Sequence, residues 1–329
     1  MIKSRIHAEA GTALARRPGP ASIAAAGPYA GRTLIILNPA AGQESPARLR
    51  RLIGGAFAAR GAAFDLAETE HRGHAIELAR EAAALGYRAV CVAGGDGTLA
   101  EAATGLAGTD VPLAIIPRGT ANQVAQNLQI PLELEAAVDV AVHGTPTPMD
   151  LGRIGDRAFA LIAGAGLDAA VMATATRSLK ERWGFAAYIF AAVKAALSAT
   201  PVEFRIVADG EEIVTRAVTV MLANVGELFT HYLPLTLPLA PQPTRSWQDG
   251  LFDVVIVSPR NPTEFPGILW RARQRRFDGD DRLIHFQARE VAIEADPPVR
   301  IQVDGDAGGH TPIVATAVSG GIRVMLPHR

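Results

Sequence analysis

Gly94-Gly95-Asp96-Gly97-Thr98 brings together residue types that handle phosphate. Glycines let a backbone approach a phosphate closely and leave its N–H groups exposed. A helix predicted to begin here adds the positive end of its dipole. Asp96 has two chemical uses in such a loop, holding Mg²⁺ or accepting a proton from a substrate hydroxyl, and Thr98 can donate to a phosphate oxygen. The same five residues also suit a tight strand-to-helix turn with Asp96 as a helix cap. They match neither GxxxxGK[ST] nor GxGxxG.

Two other loops follow the same logic. Asn38-Pro39-Ala40-Ala41-Gly42 and Pro117-Arg118-Gly119-Thr120-Ala121-Asn122 each gather small residues around an amide or hydroxyl, although each taken singly also reads as a plain turn. Every one of the three loops closes a short apolar run, at residues 33–37, 89–93 and 112–116. Helical patterns follow over residues 46–60, 73–85 and up to 106, with one more after the third loop, and a further short strand is expected at 64–67. Strands alternating with helices at this spacing predict βαβ units and a parallel sheet. Ligands bind such sheets at the carboxyl ends of the strands, where all three loops lie.

The character changes after residue 148. A strand is expected at 159–163 and helix over most of 167–199, ended by Pro201. Beta-like runs then dominate, at 204–208, 217–223, 252–257, 291–294, 299–303, 313–317 and 322–326, separated by Gly, Pro and Asp. They predict a β-rich second domain. The 329 residues, 49% of them hydrophobic, suffice for two cores. A net charge of −1 argues against a dedicated nucleic-acid binder, which needs a basic surplus. Cys91 is the single cysteine, which excludes an internal disulfide, argues against a cysteine zinc site and suggests a reducing compartment. Residues 1–30 carry no continuous apolar core and read as a loose extension. The most apolar helical stretch, 183–199, includes Lys194 and falls short of the roughly 20 residues of a membrane span. A cytoplasmic protein able to touch the inner face of a membrane is expected.

The three loops in this order resemble the signatures of the diacylglycerol kinase catalytic family, which includes bacterial lipid kinases and sphingosine and ceramide kinases. Thr69 resembles that family's nucleotide-contacting threonine. Gly164-Ala165-Gly166-Leu167-Asp168 resembles its GxGxD segment, Trp247-Gln248-Asp249-Gly250-Leu251 its late Asp-Gly turn, and Val303-Asp304-Gly305-Asp306-Ala307-Gly308-Gly309 its DGExGG segment. The resemblance runs from about Gly31 to the C-terminus. It implies an α/β nucleotide-binding domain over 31–147, rejoined by a C-terminal return at about 313–329. It also implies a β-sandwich over 148–312 that takes the lipid, with the active site between them. It implies transfer of the γ-phosphate of ATP, with Mg²⁺, to a lipid hydroxyl in phospholipid metabolism. Asn38, Pro39, Gly42, Thr69, Gly94, Gly95, Asp96, Gly97, Thr98, Thr120 and Asn122 would contact the nucleotide. Asp306 stands where the family has a glutamate proposed as proton acceptor, so it and Asp96 are the implied catalytic carboxylates. Asp249, with the carbonyls of Ser246 and Leu251, matches a structural Mg²⁺ site of bacterial members; Asp249-Gly250 reads equally as a hairpin turn.

The chain departs from the family pattern at named positions. Ala100 replaces an asparagine, Gln123 replaces an aspartate, Asp306 is one methylene shorter than glutamate, and Glu227-Leu228-Phe229-Thr230-His231-Tyr232-Leu233-Pro234 replaces a glycine-rich segment. The apolar, proline-broken run from Leu228 to Leu239 reads as an acyl-chain entrance or as a buried crossing segment. Arg271, Arg273, Arg275 and Arg276 follow Trp270 and suit anionic lipid heads, unless Asp278, Asp280 and Asp281 neutralise them. Residues 182–194 add an amphipathic stretch. His71, His74, His231, His285 and His310 lack a spacing such as HExxH and read as surface or locally hydrogen-bonded. Two other functions fit the loops. One is a soluble-substrate kinase of the NAD kinase type, whose acidic NExD-like motif is replaced here by TANQ; the other is a non-catalytic nucleotide or lipid binder. The sequence leaves the oligomeric state open, a homodimer included.

Overall fold

The computed structural model describes residues 29–42, 44–167, 200–229, 236–241 and 246–328. Most of the expected N-terminal extension, the helix expected within 167–199, Asp168, and residues 230–235 of the apolar segment lie outside the described residues. The first half begins with β1 (Thr33–Leu37), α1 (Pro46–Ala59), β2 (Phe64–Glu68), α2 (His74–Leu85), β3 (Ala89–Gly94) and α3 (Asp96–Leu106). It continues with β4 (Leu113–Pro117), α4 (Gln123–Asn127) and α5 (Leu134–His143). The strands pair in the parallel order β2-β1-β3-β4.

Side chains alternate across a strand, and both faces of this sheet are apolar. Ile35 and Leu37 pack with Ile53 and Phe57 of α1 and Val138 of α5. Leu34 and Ile36 face the other way, toward Ala75 and Ala79 of α2 and Leu99 and Leu106 of α3. Alanines at the α2–α3 contact let those helices lie close to each other. Helix starts are capped as the sequence allows. The Ser45 side chain accepts from Arg48 N ahead of Pro46. Gly73 has no side chain to cap α2, and Glu101 of α3 does so instead, accepting from Gly73 N at 2.9 Å and Ala75 N at 3.3 Å.

The sheet does not stop at β4. The last strand, β18 (Ile313–Leu326), lies parallel beside β4 through Val324 and Leu113 and antiparallel along β5 (Thr145–Ile154), to which β6 (Arg157–Phe159) is paired. Its other end pairs antiparallel with β15 (Glu290–Asp296), followed by β8 (Val202–Ala208) and β9 (Glu211–Ala217). One sheet therefore changes from parallel to antiparallel at β18. Two strands were expected at 313–317 and 322–326; they are one strand with a register shift between Val318 and Ile322, around Gly320 at φ +57°. β5 runs through the expected domain limit at residues 147–148, carrying the chain from the α/β layer into the β-rich half.

A second, antiparallel sheet has the order β14 (Leu283–Ala288), β13 (Phe252–Val257), β10 (Thr219–Ala223), β7 (Ile162–Gly166), β16 (Arg300–Val303), β17 (Asp306–His310). It packs on the β18-β15-β8 part of the first sheet, and Phe159, Phe204, Phe252, Ile256 and Ile293 fill the space between. The C-terminal half is thus a β-sandwich on an α/β domain, as expected. The small hairpin of β11 (Glu227–Phe229) and β12 (Thr236–Pro238) and the helix α6 (Phe265–Arg273) lie outside both sheets. No helix among the described residues is long and apolar enough to cross a membrane.

Candidate active site

The three loops meet at the carboxyl ends of β1, β3 and β4. Asn38 ends β1, its N–H bonded to Ala93 O at 3.1 Å, and its side-chain amide donates to Thr98 Oγ1 at 2.8 Å. Its own Oδ1 accepts from Ala40 N at 2.9 Å, which tightens the first loop. Asn38 and Thr98, read separately in the sequence as nucleotide contacts, therefore join the first two loops. Arg118 N donates to Gly94 O at 2.9 Å and draws the third loop to the second. Gly95 and Gly119 are in backbone contact: a Cβ on Gly119 would stand 2.5 Å from Gly95 Cα. Within the third loop, Asn122 holds Gly119 from both sides, accepting from its N–H at 2.8 Å and donating to its carbonyl at 2.9 Å. Asn122 adopts φ +48°, a left-handed conformation that asparagine tolerates.

A small cavity opens where the loops touch, with Gly94, Gly95, Asp96 and Asn122 among its lining and Leu99 and Ile115 beneath. Asp96 does act as a cap, but for the next helix: its carboxylate accepts from Val124 N at 3.1 Å at the start of α4. Burial pushes its carboxyl upward, opposed by backbone N–H groups of Gln123, Val124, Asp96 itself and Asn122. Thr98 is buried, Thr69 half-buried and Thr120 exposed; Pro39 is half-buried and Gly42 exposed at φ +80° against the Arg118 carbonyl. Thr69 continues the line of β2, donating its N–H to Leu37 O at 2.9 Å.

The hairpin β16–β17 supplies two carboxylates. Asp306 is half-buried and pairs with Arg157 at 3.0 Å and Arg72 at 2.7 Å. Arg157 also donates to Val303 O at 3.0 Å. Asp304, not singled out in the sequence as a site residue, forms the turn with Gly305; both have positive φ, as an Asp-Gly hairpin turn requires. Its carboxylate accepts from Ala160 N, Leu161 N and Ile162 N at 2.8–2.9 Å. Those amides lie where the strand expected at 159–163 is broken between β6 and β7, so Asp304 satisfies the break. Burial pushes Asp304 up to about 6, with the Asp96 charge adding to the rise. The Arg72–Asp306 pair ties this hairpin to the α/β half.

Around Asp249 the neighbours are acidic. Asp249 accepts from Leu251 N at 3.0 Å and from Gln287 at 3.2 Å. Burial raises its carboxyl, Leu251 N opposes the rise, and the charges of Asp253 and Asp150 add to it. Asp253 is 1% exposed and its Oδ2 has no partner among the described residues, while Oδ1 meets His285 at 2.9 Å. This excess of oxygen donors and negative charge fits a hard divalent cation. The buried Asp150, which no local pattern revealed, accepts from Gly250 N and Gly320 N, both at 2.6 Å, and so fixes the Asp249-Gly250 turn against the bend in β18. Asn224 is fully buried and donates to Asp150 O and Ala160 O.

His71 and His74 are locally hydrogen-bonded, to Arg72 O and Glu70 N, and they approach each other and Glu77. His74 Nδ1 accepts from Glu70 N at 3.1 Å, which puts its proton on Nε2 and leaves neither nitrogen free for a metal while that bond holds.

Comparisons with known proteins agree with this architecture. The model of the diacylglycerol kinase catalytic domain matches residues 32–154, and that of the YegS C-terminal NAD kinase beta sandwich-like domain matches 162–326. The chain is 30% identical over 321 residues to a diacylglycerol kinase of Mycobacterium tuberculosis, covering 90% of this chain and 96% of the relative. It is 29% identical over 303 residues to a diacylglycerol kinase of Bacillus subtilis, with the same coverage. A Synechocystis relative is 28% identical over 242 residues, and the match spans 54% of its length. The crystal structure of a diacylglycerol kinase from Bacillus anthracis superposes with a TM-score of 0.73 at 24% identity, covering 90% of this chain and 97% of that one.

Proposed function

The chain belongs to the diacylglycerol kinase family, and on that premise we propose that it transfers the γ-phosphate of ATP to the hydroxyl of a lipid. The observation that carries the reading is the contact of the three loops around Gly95 and Gly119, which leaves a small cavity beside Asp96, with the Asp306 hairpin tied to the same half through Arg72.

In this reading Asn38, Thr69, the backbone from Gly94 to Thr98, Thr120 and Asn122 hold the nucleotide. Pro39 and Gly42 shape the first loop around it. Mg²⁺ bound with the nucleotide would offset the charge of the phosphates. Asp306 accepts the proton of the acceptor hydroxyl as its oxygen bonds to the γ-phosphorus and ADP departs. Asp96, beside the phosphates, positions the metal-bound triphosphate and holds α4 in place. Asp249 with the Ser246 and Leu251 carbonyls would hold a second, structural Mg²⁺, tying the turn to Asp150 and β18. Residues 31–147 with the 313–329 return form the nucleotide half, and 148–312 the lipid half.

The test offers γ-labelled ATP with a panel of micellar acceptors: diacylglycerol, a sphingoid base, ceramide and related glycerolipids. Label extracted into organic solvent with one of them supports the reading and names the acceptor. Label found only in a water-soluble product, with NAD among the acceptors tried, replaces it with a soluble-substrate kinase. Nucleotide binding without any transfer replaces it with a binding protein.

A further inference from the structure

α6 carries apolar residues on its outer face as well as its inner one. Ile268 and Ala272 are buried, and Phe265 is half-buried beside them. The opposite face, spaced i, i+3, i+4 and i+7, consists of Pro266, Leu269, Trp270 and Arg273, all exposed. A solvated helix face is normally polar. Here Leu269 is 53% and Trp270 62% exposed, adjacent large apolar side chains standing in water.

The charges around that face are not self-neutralising. Of the acids that follow, Asp280 is taken by Arg271 at 3.1 Å and Arg282 at 2.7 Å, and Asp281 by Arg260 at 2.9 Å. Arg275 is taken by Glu227. Arg273 and Arg276 are exposed and make no ion pair among the described residues, against the single unpaired acid Asp278. An exposed Trp–Leu step with two unmatched guanidinium groups at its C-terminal end matches the chemistry of an anionic lipid surface. The indole and leucyl groups enter the interfacial zone and the arginines lie against phosphates.

A relay of contacts links the helix to the proposed site. It packs on β12, and Arg275 donates to Ala240 O at 3.0 Å. β12 pairs with β11, whose Glu227 carbonyl accepts from Asn127 at 2.9 Å, at the end of α4. α4 begins at the amides that Asp96 holds.

We propose that the outer face of α6 docks this protein on an anionic membrane surface through Leu269, Trp270, Arg273 and Arg276. The purpose assigned to docking rests on the lipid-acceptor reading, but the docking is measured without ATP or acceptor.

Full-length protein is sedimented with vesicles of phosphatidylcholine alone or mixed with phosphatidylglycerol. Wild type binds the mixed vesicles more tightly, and Trp270 emission shifts to the blue and is quenched by brominated lipid. The double substitution Leu269→Ser with Trp270→Ser weakens binding at least roughly tenfold, since the buried apolar area is the main attraction. Arg273→Ala with Arg276→Ala weakens it roughly 30-fold on the mixed vesicles and little on phosphatidylcholine. All four residues are exposed, so folding is kept, and the rate on a short-chain monomeric acceptor stays at the wild-type value. Binding equal to wild type in both variants overturns the proposal. So does a concentration-dependent dimer that the Leu269–Trp270 variant splits, since the face then belongs to a second copy of the chain. Face-dependent vesicle binding without transfer to any lipid keeps the docking surface and removes the lipid-kinase reading.

Discussion

Arg72 and Asp306 meet at 2.7 Å, joining the loop after β2 in the α/β half to the first residue of β17 in the sandwich. With Arg157 at 3.0 Å, Asp306 is held between two guanidinium groups, one from each half of the molecule. Arg72 is 65% exposed and is the partner free to turn toward a phosphate; Arg157 is tied to the hairpin by its bond to Val303 O.

Asp306→Asn keeps the shape and an acceptor oxygen but removes the base. The expected result is a fall in kcat of about 10²–10⁴-fold with KM for ATP nearly unchanged, measured by steady-state kinetics on the preferred lipid. A rise in KM with kcat preserved would instead make Asp306 a binding residue.

The two arginines differ in stability. Arg72→Ala removes an exposed ion pair and should change the unfolding free energy by less than about 1 kcal/mol. Arg157→Ala also strips the Val303 carbonyl of a donor and should cost more, on the order of 1–3 kcal/mol. Urea denaturation of both variants decides it; equal effects would show that the hairpin does not depend on Arg157.

Gly119→Ala tests the contact between the second and third loops. The new methyl would sit 2.5 Å from Gly95 Cα, backbone that cannot swing aside, and 3.0 Å from Asn122 Oδ1. Nucleotide binding should fall at least tenfold by calorimetry, since about 1.4 kcal/mol of displaced loop energy suffices. Unchanged binding would mean that the loops part freely.

Asp304 gives a pH dependence of defined sign. Its folded-state value, about 6, lies above the ordinary 3.8, so its contribution to stability is fully present below 3.8 and is lost as pH rises through about 6. A carbon-13 carboxyl titration should find one aspartate changing near pH 6. Asp304→Ala should abolish the matching slope in thermal stability while lowering stability at every pH, because three amides lose their acceptor. Titration near 3.8 would contradict this.

The site's ground plan was readable because each phosphate loop is local. Thr33–Leu37 is a run of apolar residues closed by Asn38-Pro39, and such runs carry both their strand character and their ending in neighbouring residues. The roles of Asp150, Asp304, Glu101 and Asn224 were not readable. Each satisfies backbone groups far along the chain, as Asp150 does for Gly250 and Gly320, and no periodicity records which distant amide a carboxylate will meet. β5 escaped for a related reason. Pro146 and Pro148 weaken its β pattern, and it becomes a strand through its long pairing with β18. The bend at Gly320, held by Asp150, makes β18 read as two strands.

The most direct test of phosphoryl transfer to a lipid is a side-by-side rate measurement. Label from γ-labelled ATP is followed into the organic-phase phosphomonoester for wild type, Asp96→Ala and Asp306→Asn, with nucleotide binding measured on the same preparations. The account predicts rapid labelling by wild type and at least a hundredfold loss in each variant, with Asp306→Asn still binding ATP. A wild-type protein that binds ATP yet labels no lipid, or an Asp306→Asn variant that labels at the wild-type rate, would contradict it.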